Sequence, residues 1–433
     1  MPYEPLVTIP NRTVFLLRAI TAATGISDGY DLGVINGVSM ILSKSHGYTS
    51  FEISMFVAIM PLFVGVGAFL GGFFADSIGR KKVLISSYVL LIAGAVMMGV
   101  PDMFPLLLIG RSVVGLGIGI GAVVGTVYMA EISPTKNRGS IVAQEALFLS
   151  AGLLLGYVSN YAFLGFEGFT HDYNLMLGIG ALLPALCLAT LLLFGHTLPE
   201  SPYYERMDKE SDSSKFSNFF SSPGSTSALL VGLLQPLSGI GPILYFSDIT
   251  FSTIDKSAEG ESDVAVSSIW IGLVKFCVLS LSTFVLMDKL NRRTMLLASS
   301  FMLVCSMGFL AVVLQSGNGG VLLLTGFCAA VGSYAFGWNC VPSVYPSELL
   351  PTHVRAFGIA FATIIGRVVA VTNSFLYPLV GLEHLSVWFW TYMGINAVSF
   401  ALVFRFAEET LHKPLIAKSG DDSERTEILH HVD

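Results

Sequence analysis

Twelve apolar runs constrain this chain more than any other feature. They lie at about 13–42, 52–74, 83–100, 105–130, 141–165 and 174–195, and again at about 227–251, 264–287, 294–315, 320–345, 357–381 and 386–406. A helix needs roughly 20 residues to cross the hydrocarbon core of a bilayer. The chain is 53% hydrophobic and 12% charged, against about 25% charged in soluble domains. The expected fold is an all-α membrane protein with twelve transmembrane helices in two pseudo-symmetric six-helix bundles. The bundles span 1–195 and 227–410. Between them, 196–226 is polar, charged and rich in serine, as a cytoplasmic linker should be, and 411–433 is a polar cytoplasmic tail.

Basic residues favour the cytoplasmic side of a membrane. With the N-terminus inside, only Lys44 and Lys256 fall outside, and Arg111, Lys275 and Arg367 fall within apolar runs. Both termini are therefore expected in the cytoplasm. The five cysteines all lie in apolar runs, with no disulfide or metal-site spacing. No basic patch interleaved with aromatics points to a nucleic-acid partner. The glycines at 115, 117, 119, 121 and 125 fit no dinucleotide fingerprint, and no phosphate loop, zinc-protease helix or hydrolase elbow marks an enzyme.

The fourth run is an apolar helix with one charge, Arg111, and five glycines that admit close neighbours. A charge at membrane depth costs roughly 2.5–3.5 kcal/mol on insertion scales and needs a partner or a wet cavity. Asp31, in the first run, is the natural partner, because pairing is the cheap solution for both charges. Protonating the carboxylate would loosen the pair and free the helices; the plain alternative is a static structural pair. Asp28 lies on nearly the same helical face as Asp31. Glu145 and Arg367 are further intramembrane charges, and Lys275 is expected to snorkel toward an interface.

The loops repeat. Asp76 precedes Arg80 as Asp288 precedes Arg292 and Arg293, and Glu131-x-x-Pro134-x-x-x-Arg138 returns as Glu348-x-x-Pro351-x-x-x-Arg355. Two like halves of six helices place a substrate site between them, near the midplane. These motifs, with Pro199-Glu200-Ser201-Pro202, Gly29-Tyr30-Asp31 and Gln235-x-x-Ser238-Gly239-Ile240, resemble the signatures of sugar porters of the major facilitator superfamily. Gly152-x-x-x-Gly156-Tyr157 and Arg367-Val368 look most like the plant polyol and monosaccharide branch.

The resemblance implies a function. Proton symporters of the family carry aspartate where Asp31 stands, so Asp31, Arg111 and Asp28 are the expected proton-coupling group. Gln235, Ser238 and Tyr245 of the seventh run, Trp338 and Asn339 of the tenth, and Glu145 of the fifth are the expected substrate contacts. They offer the amides, hydroxyls and aromatic face that a polyol needs. Pro236, Gly241, Ala146 and Ser343 replace usual polar or aromatic contacts, so a substrate of altered shape, or lost activity, is the alternative. Asp76, Arg80, Glu131, Arg138, Glu200, Asp288, Arg292, Arg293, Glu348 and Arg355 form the expected cytoplasmic gate, since ion pairs there can latch the halves. The expected activity is proton-coupled symport of a polyol or monosaccharide by a monomer in the lipid bilayer, without a cofactor. The plasma membrane is the expected location and the vacuolar membrane the alternative. A facilitative carrier and a non-transporting sensor remain the competing readings.

Overall fold

The computed structural model describes residues 11–44, 46–100, 103–132, 138–165, 173–194, 219–222, 224–254, 261–287, 289–316, 320–350, 352–381 and 384–410. Within these, the side chains of 11–21, 76, 130–132, 138–143, 164–165, 194, 261–263, 347 and 352–357 are outside the description. The first half contains α1 (Asn11–Lys44), α2 (Ser50–Ile78), α3 (Arg80–Met98), α4 (Phe104–Ile132), α5 (Arg138–Gly165) and a sixth span broken into α6 (Tyr173–Ile179) and α7 (Leu182–Phe194). In the second half, α8 (Ser225–Leu234) and α9 (Ile240–Ile254) share the seventh span. Then follow α10 (Glu261–Leu281), α11 (Arg292–Gln315), a tenth span of α12 (Val321–Phe336) and α13 (Val341–Leu349), α14 (Thr352–Val380) and α15 (Leu385–Phe406). Eleven described segments are long and apolar enough to cross a membrane; α1, which carries Asp28 and Asp31, is the twelfth. The linker expected at 196–226 falls mostly outside the described residues.

The halves repeat in packing as well as in sequence. The α1–α5, α2–α4 and α3–α7 contacts of the first half return as α8–α14, α10–α12 and α11–α15 in the second. Arg80 Nη1 bonds the Ala75 carbonyl at 2.8 Å, and Arg292 Nη1 bonds the Met287 carbonyl at the same offset. Across the halves, α1 packs on α9, α2 on α14 and α5 on α10.

Glycine sets how closely the helices approach. A Cβ on Gly29 would run into the Leu149 carbonyl, and one on Gly152 into that of Ile26, so α1 and α5 touch backbone to backbone. On α4 the glycines divide. Gly115 and Gly119 face the Met60 and Val64 carbonyls of α2, while Gly117 faces Ser87 of α3. Small residues give lipid-embedded helices the dispersion contact that water-driven burial cannot supply there.

Two spans break for local reasons. Between α8 and α9, Pro236 removes a backbone donor and Gly239 turns to φ +82°, joined by the 3-10 turn Pro236–Ser238. Between α12 and α13, the chain turns at Gly337–Cys340. Such breaks free backbone groups that, at membrane depth, are tolerated only where they are buried in protein or line a wet cavity.

Candidate functional site

The expected pair is formed. Arg111 Nη1 donates to Asp31 Oδ1 at 2.6 Å and Oδ2 at 2.5 Å. The guanidinium lies 5.2 Å from the Phe56 ring centroid, and its Nε reaches the Phe56 carbonyl at 3.4 Å. Arg111 is wholly buried, and its Nη2 has no hydrogen-bond partner among the described residues. Beside the pair lies a chamber of about 20 Å³, lined by Ser27, Tyr30, Asp31, Val114, Gly180 and Pro184 among others. That is room for one water. Asp31 is thus held by α4 while facing a space through which a proton could arrive.

Asp28 goes elsewhere. Among the described residues it makes no direct ion pair, and the charges in its field are those of Arg367 and Lys275 from the second half, as well as Asp31 and Arg111. Three residues along a helix separate two faces by about 60°, enough to send Asp31 to α4 and Asp28 toward the other half. Glu145 accepts from Thr126 Oγ1 at 2.6 Å and shares the field of Asp28 and Arg367. Lys275 does not snorkel. It is 2% exposed, because it sits on the inward stripe Ser268–Ile271–Lys275–Leu279, while Trp270 and Cys277 take the lipid face.

The expected substrate contacts separate as well. Gln235 Nε2 donates to the Trp338 carbonyl at 3.1 Å and reaches the Tyr334 hydroxyl at 3.4 Å, spanning both broken helices. The Tyr245 hydroxyl shares the field of Asp28 and Arg367. Ser238 is buried, and its carbonyl accepts from Asn396 at 3.1 Å. Trp338 is fully buried with its indole N–H on Ser300 Oγ at 2.9 Å, so its one donor is taken within the protein. Asn339 Nδ2 is enclosed and has no hydrogen-bond partner among the described residues.

Sequence reasoning missed Asp248. It is fully buried on α9, accepts from Ser268 Oγ, and takes a backbone bond from its own N–H to Asn36 Oδ1 at 3.0 Å. Asn36 Nδ2 also donates to Ser247 at 2.9 Å and Ser268 at 3.0 Å. This polar layer joins the halves about 12 Å short of the end of α1 farther from the termini. The signal was available: one aspartate in an apolar run, as conspicuous as Lys275.

At the opposite end, Arg292 pairs with Glu348 at 3.1 Å, and Thr410 donates to Glu348 at 2.6 Å. Glu409, which was not anticipated, accepts from the Arg292 and Arg293 amides at 3.0 and 3.2 Å, covering the N-terminus of α11. These bonds run within the second half and not across the halves. The side chains of Asp76, Glu131, Arg138, Glu200, Asp288 and Arg355 lie outside the described residues.

Twelve spans in two like halves, with ionisable groups buried between them, define an integral, multi-pass membrane transporter of the major facilitator fold. The sequence model described as "Sugar (and other) transporter" matches residues 17–217 and 205–419, and the chain belongs to that family. Probable polyol transporter 4 of Arabidopsis thaliana is 28% identical over 89% of this chain and 81% of its own length. Glucose transporter GlcP of Staphylococcus epidermidis is 25% identical over 95% and 98%. Among solved structures, the proton:xylose symporter XylE bound to 6-bromo-6-deoxy-D-glucose superposes with a TM-score of 0.79 at 20% identity, covering 93% of this chain and 98% of that one. Partially occluded, inward-open XylE from E. coli also gives 0.79, at 19% identity over 94% and 100%. These relatives are carriers and not enzymes.

Proposed function

We propose that this chain is a proton-coupled symporter of a polyol or monosaccharide, working by alternating access with both termini in the cytoplasm of a plasma-membrane cell face. The observation that carries the reading is the buried Asp31–Arg111 pair beside a water-sized chamber. Relatives named as polyol transporters, and a fold shared with a protein named as a proton symporter, support it. Solute enters between the halves, near Gln235 and Tyr245. Asp31 takes a proton from the outer side, its hold on Arg111 weakens, and the halves rock. One proton supplies about 1.4 kcal/mol per pH unit and about 2.3 kcal/mol per 100 mV, enough to concentrate a neutral solute.

The test is uptake of labelled polyols and hexoses at about pH 5 and about pH 7.5, with and without an uncoupler. Uptake should rise in acid and collapse with uncoupler. Asp31→Asn should lose accumulation while keeping exchange. Accumulation with unchanged pH dependence in that variant removes the proton role, and flux indifferent to pH in the parent marks a facilitative carrier.

A further inference from the structure

We propose that Asp248 is a second proton-binding site, set in the seam between the halves, which takes a proton from the outer side as the halves join and returns it to the same side as they part. Asp31 keeps the proton that crosses. The proposal rests on the reading that the halves rock with both termini in the cytoplasm, and it adds control of that motion by outer acid.

The cluster is defined by its hydrogen bonds. Asp248 is fully buried on α9. Its Oδ1 is bonded to Ser268 Oγ of α10, and its Oδ2 has no hydrogen-bond partner among the described residues. Nor does it form an ion pair among them. Asn36 of α1 completes the cluster from the other half. Its Oδ1 accepts the Asp248 N–H at 3.0 Å, which fixes the orientation of the amide, and its two amide hydrogens go to Ser247 and Ser268. Asn36 therefore has no donor left for Oδ2. The other described contacts around α9 bring no charge. Tyr157 of α5 donates to the Leu244 carbonyl, Tyr377 of α14 shares a bond with Thr250, and Phe327 of α12 meets Phe251 edge to face. Lys44 is the charged group in the field of Asp248. It is exposed and lies eight residues beyond Asn36, about 12 Å along α1. Lys275 is seven residues beyond Ser268, about 10 Å along α10.

A sealed carboxylate with one bare oxygen and no cation is expensive, and a neutral acid in its place is far less so. The layer accommodates the acid. With a proton on Oδ1 that bond reverses, and Asp248 donates to Ser268 Oγ. The Ser268 hydrogen then turns to Ser247 Oγ, 2.9 Å away. Ser268 Oγ now accepts from Asn36 and Asp248 and donates once, the full capacity of a hydroxyl. When the halves part, Asn36 withdraws, water enters and the carboxyl ionises. Joining is thereby linked to the uptake of one proton, and outer acid favours it by up to about tenfold per pH unit. This proton is not passed to Asp31. Asn36 lies five residues after Asp31, about 140° round the helix. Asp31 bonds to α4, whereas Asn36 bonds to α9 and α10.

The experiment is pulsed electron spin resonance on the purified full chain in lipid nanodiscs. Spin labels are attached through Ser43→Cys on α1 and Thr253→Cys on α9, both exposed positions, in a background lacking the exposed Cys277 and Cys305. In the parent, the ratio of short to long distances should rise at least about tenfold between about pH 7.5 and about pH 5. Asp248→Asn, and Asp248→Thr as a second uncharged variant, should hold the short distance at both pH values. Asp31→Asn should keep the shift. A parent distribution indifferent to pH overturns the proposal, as does a shift that survives both Asp248 variants or one that follows sodium at fixed pH. Uptake separates the two readings. Accumulation lost in Asp31→Asn, with a distance shift that ignores Asp248, leaves symport standing and removes the second site. A single distance at every pH, together with no uptake of labelled polyols or hexoses, removes both.

Discussion

Asp31 and Arg111 make separate claims on folding and on transport. Breaking a buried pair leaves an uncompensated charge, at a cost of about 3–5 kcal/mol, whereas removing both partners is often neutral. Arg111→Met should therefore lower thermal stability in detergent markedly, and adding Asp31→Asn should recover most of the loss. Equal melting of the single and double variants would show that the pair is not the buried unit described above. The pair was legible in the sequence because a charge in an apolar run has few solutions. Asp28 and Lys275 were harder to place. Helical spacing alone put Asp28 with Asp31, and a lysine's long stem made escape to an interface plausible. Only the neighbouring half shows that both face inward.

Helices α1 and α5 meet where two glycines let carbonyls approach. Gly29→Ala would drive its methyl into the Leu149 carbonyl, whereas a Cβ on Gly72 meets open space. Overpacking costs about 1–3 kcal/mol, or more where backbone must move. Gly29→Ala should cut the folded yield on fluorescence-detected size exclusion, and Gly72→Ala should not. At the start of α11, Glu409→Ala removes an acceptor for two helix-terminal amides. It should cost about 1 kcal/mol, read as a lower melting temperature. The spans themselves could be read from hydropathy, because lipid demands length. Their interruptions could not. Pro236 read as a missing polar contact, yet with Gly239 it breaks the seventh span, and the turn at Gly337–Cys340 carried no such flag.

For the whole molecule, the polar layer around Asn36 bonds the two halves to each other near one end of the bundle. Asn36→Ala removes the group that bridges Ser247, Asp248 and Ser268. A cysteine placed at Ser247, in a background lacking the exposed Cys277 and Cys305, should then react faster with a membrane-impermeant thiol reagent. An unchanged rate would mean the layer does not control that end. The two-half plan was visible in the repeated loop motifs, but this layer was not, since neither half shows it alone. The two kinds of seam also differ in substance. Within the first half, several glycines bring backbone against backbone, as Gly115 meets the Met60 carbonyl, whereas in the second half Gly308 and Gly326 meet the Met393 and Leu310 side chains; between halves, Gly272 meets Tyr157 and Gly65 meets Arg367. Backbone contacts cannot swing, so the helices of the first half that meet this way move together. Beside the packing of α1 on α9, α2 on α14 and α5 on α10, the side-chain hydrogen bonds across the joint among the described residues are those of Asn36, Ser39 to the Tyr245 carbonyl, and Tyr157 to the Leu244 carbonyl. At about 1 kcal/mol net for each, breaking these bonds alone takes work comparable to the roughly 4 kcal/mol released by a solute bound at about 1 mM. A machine geared this way turns over on weak binding, and a solute held far more tightly would stall it as an inhibitor.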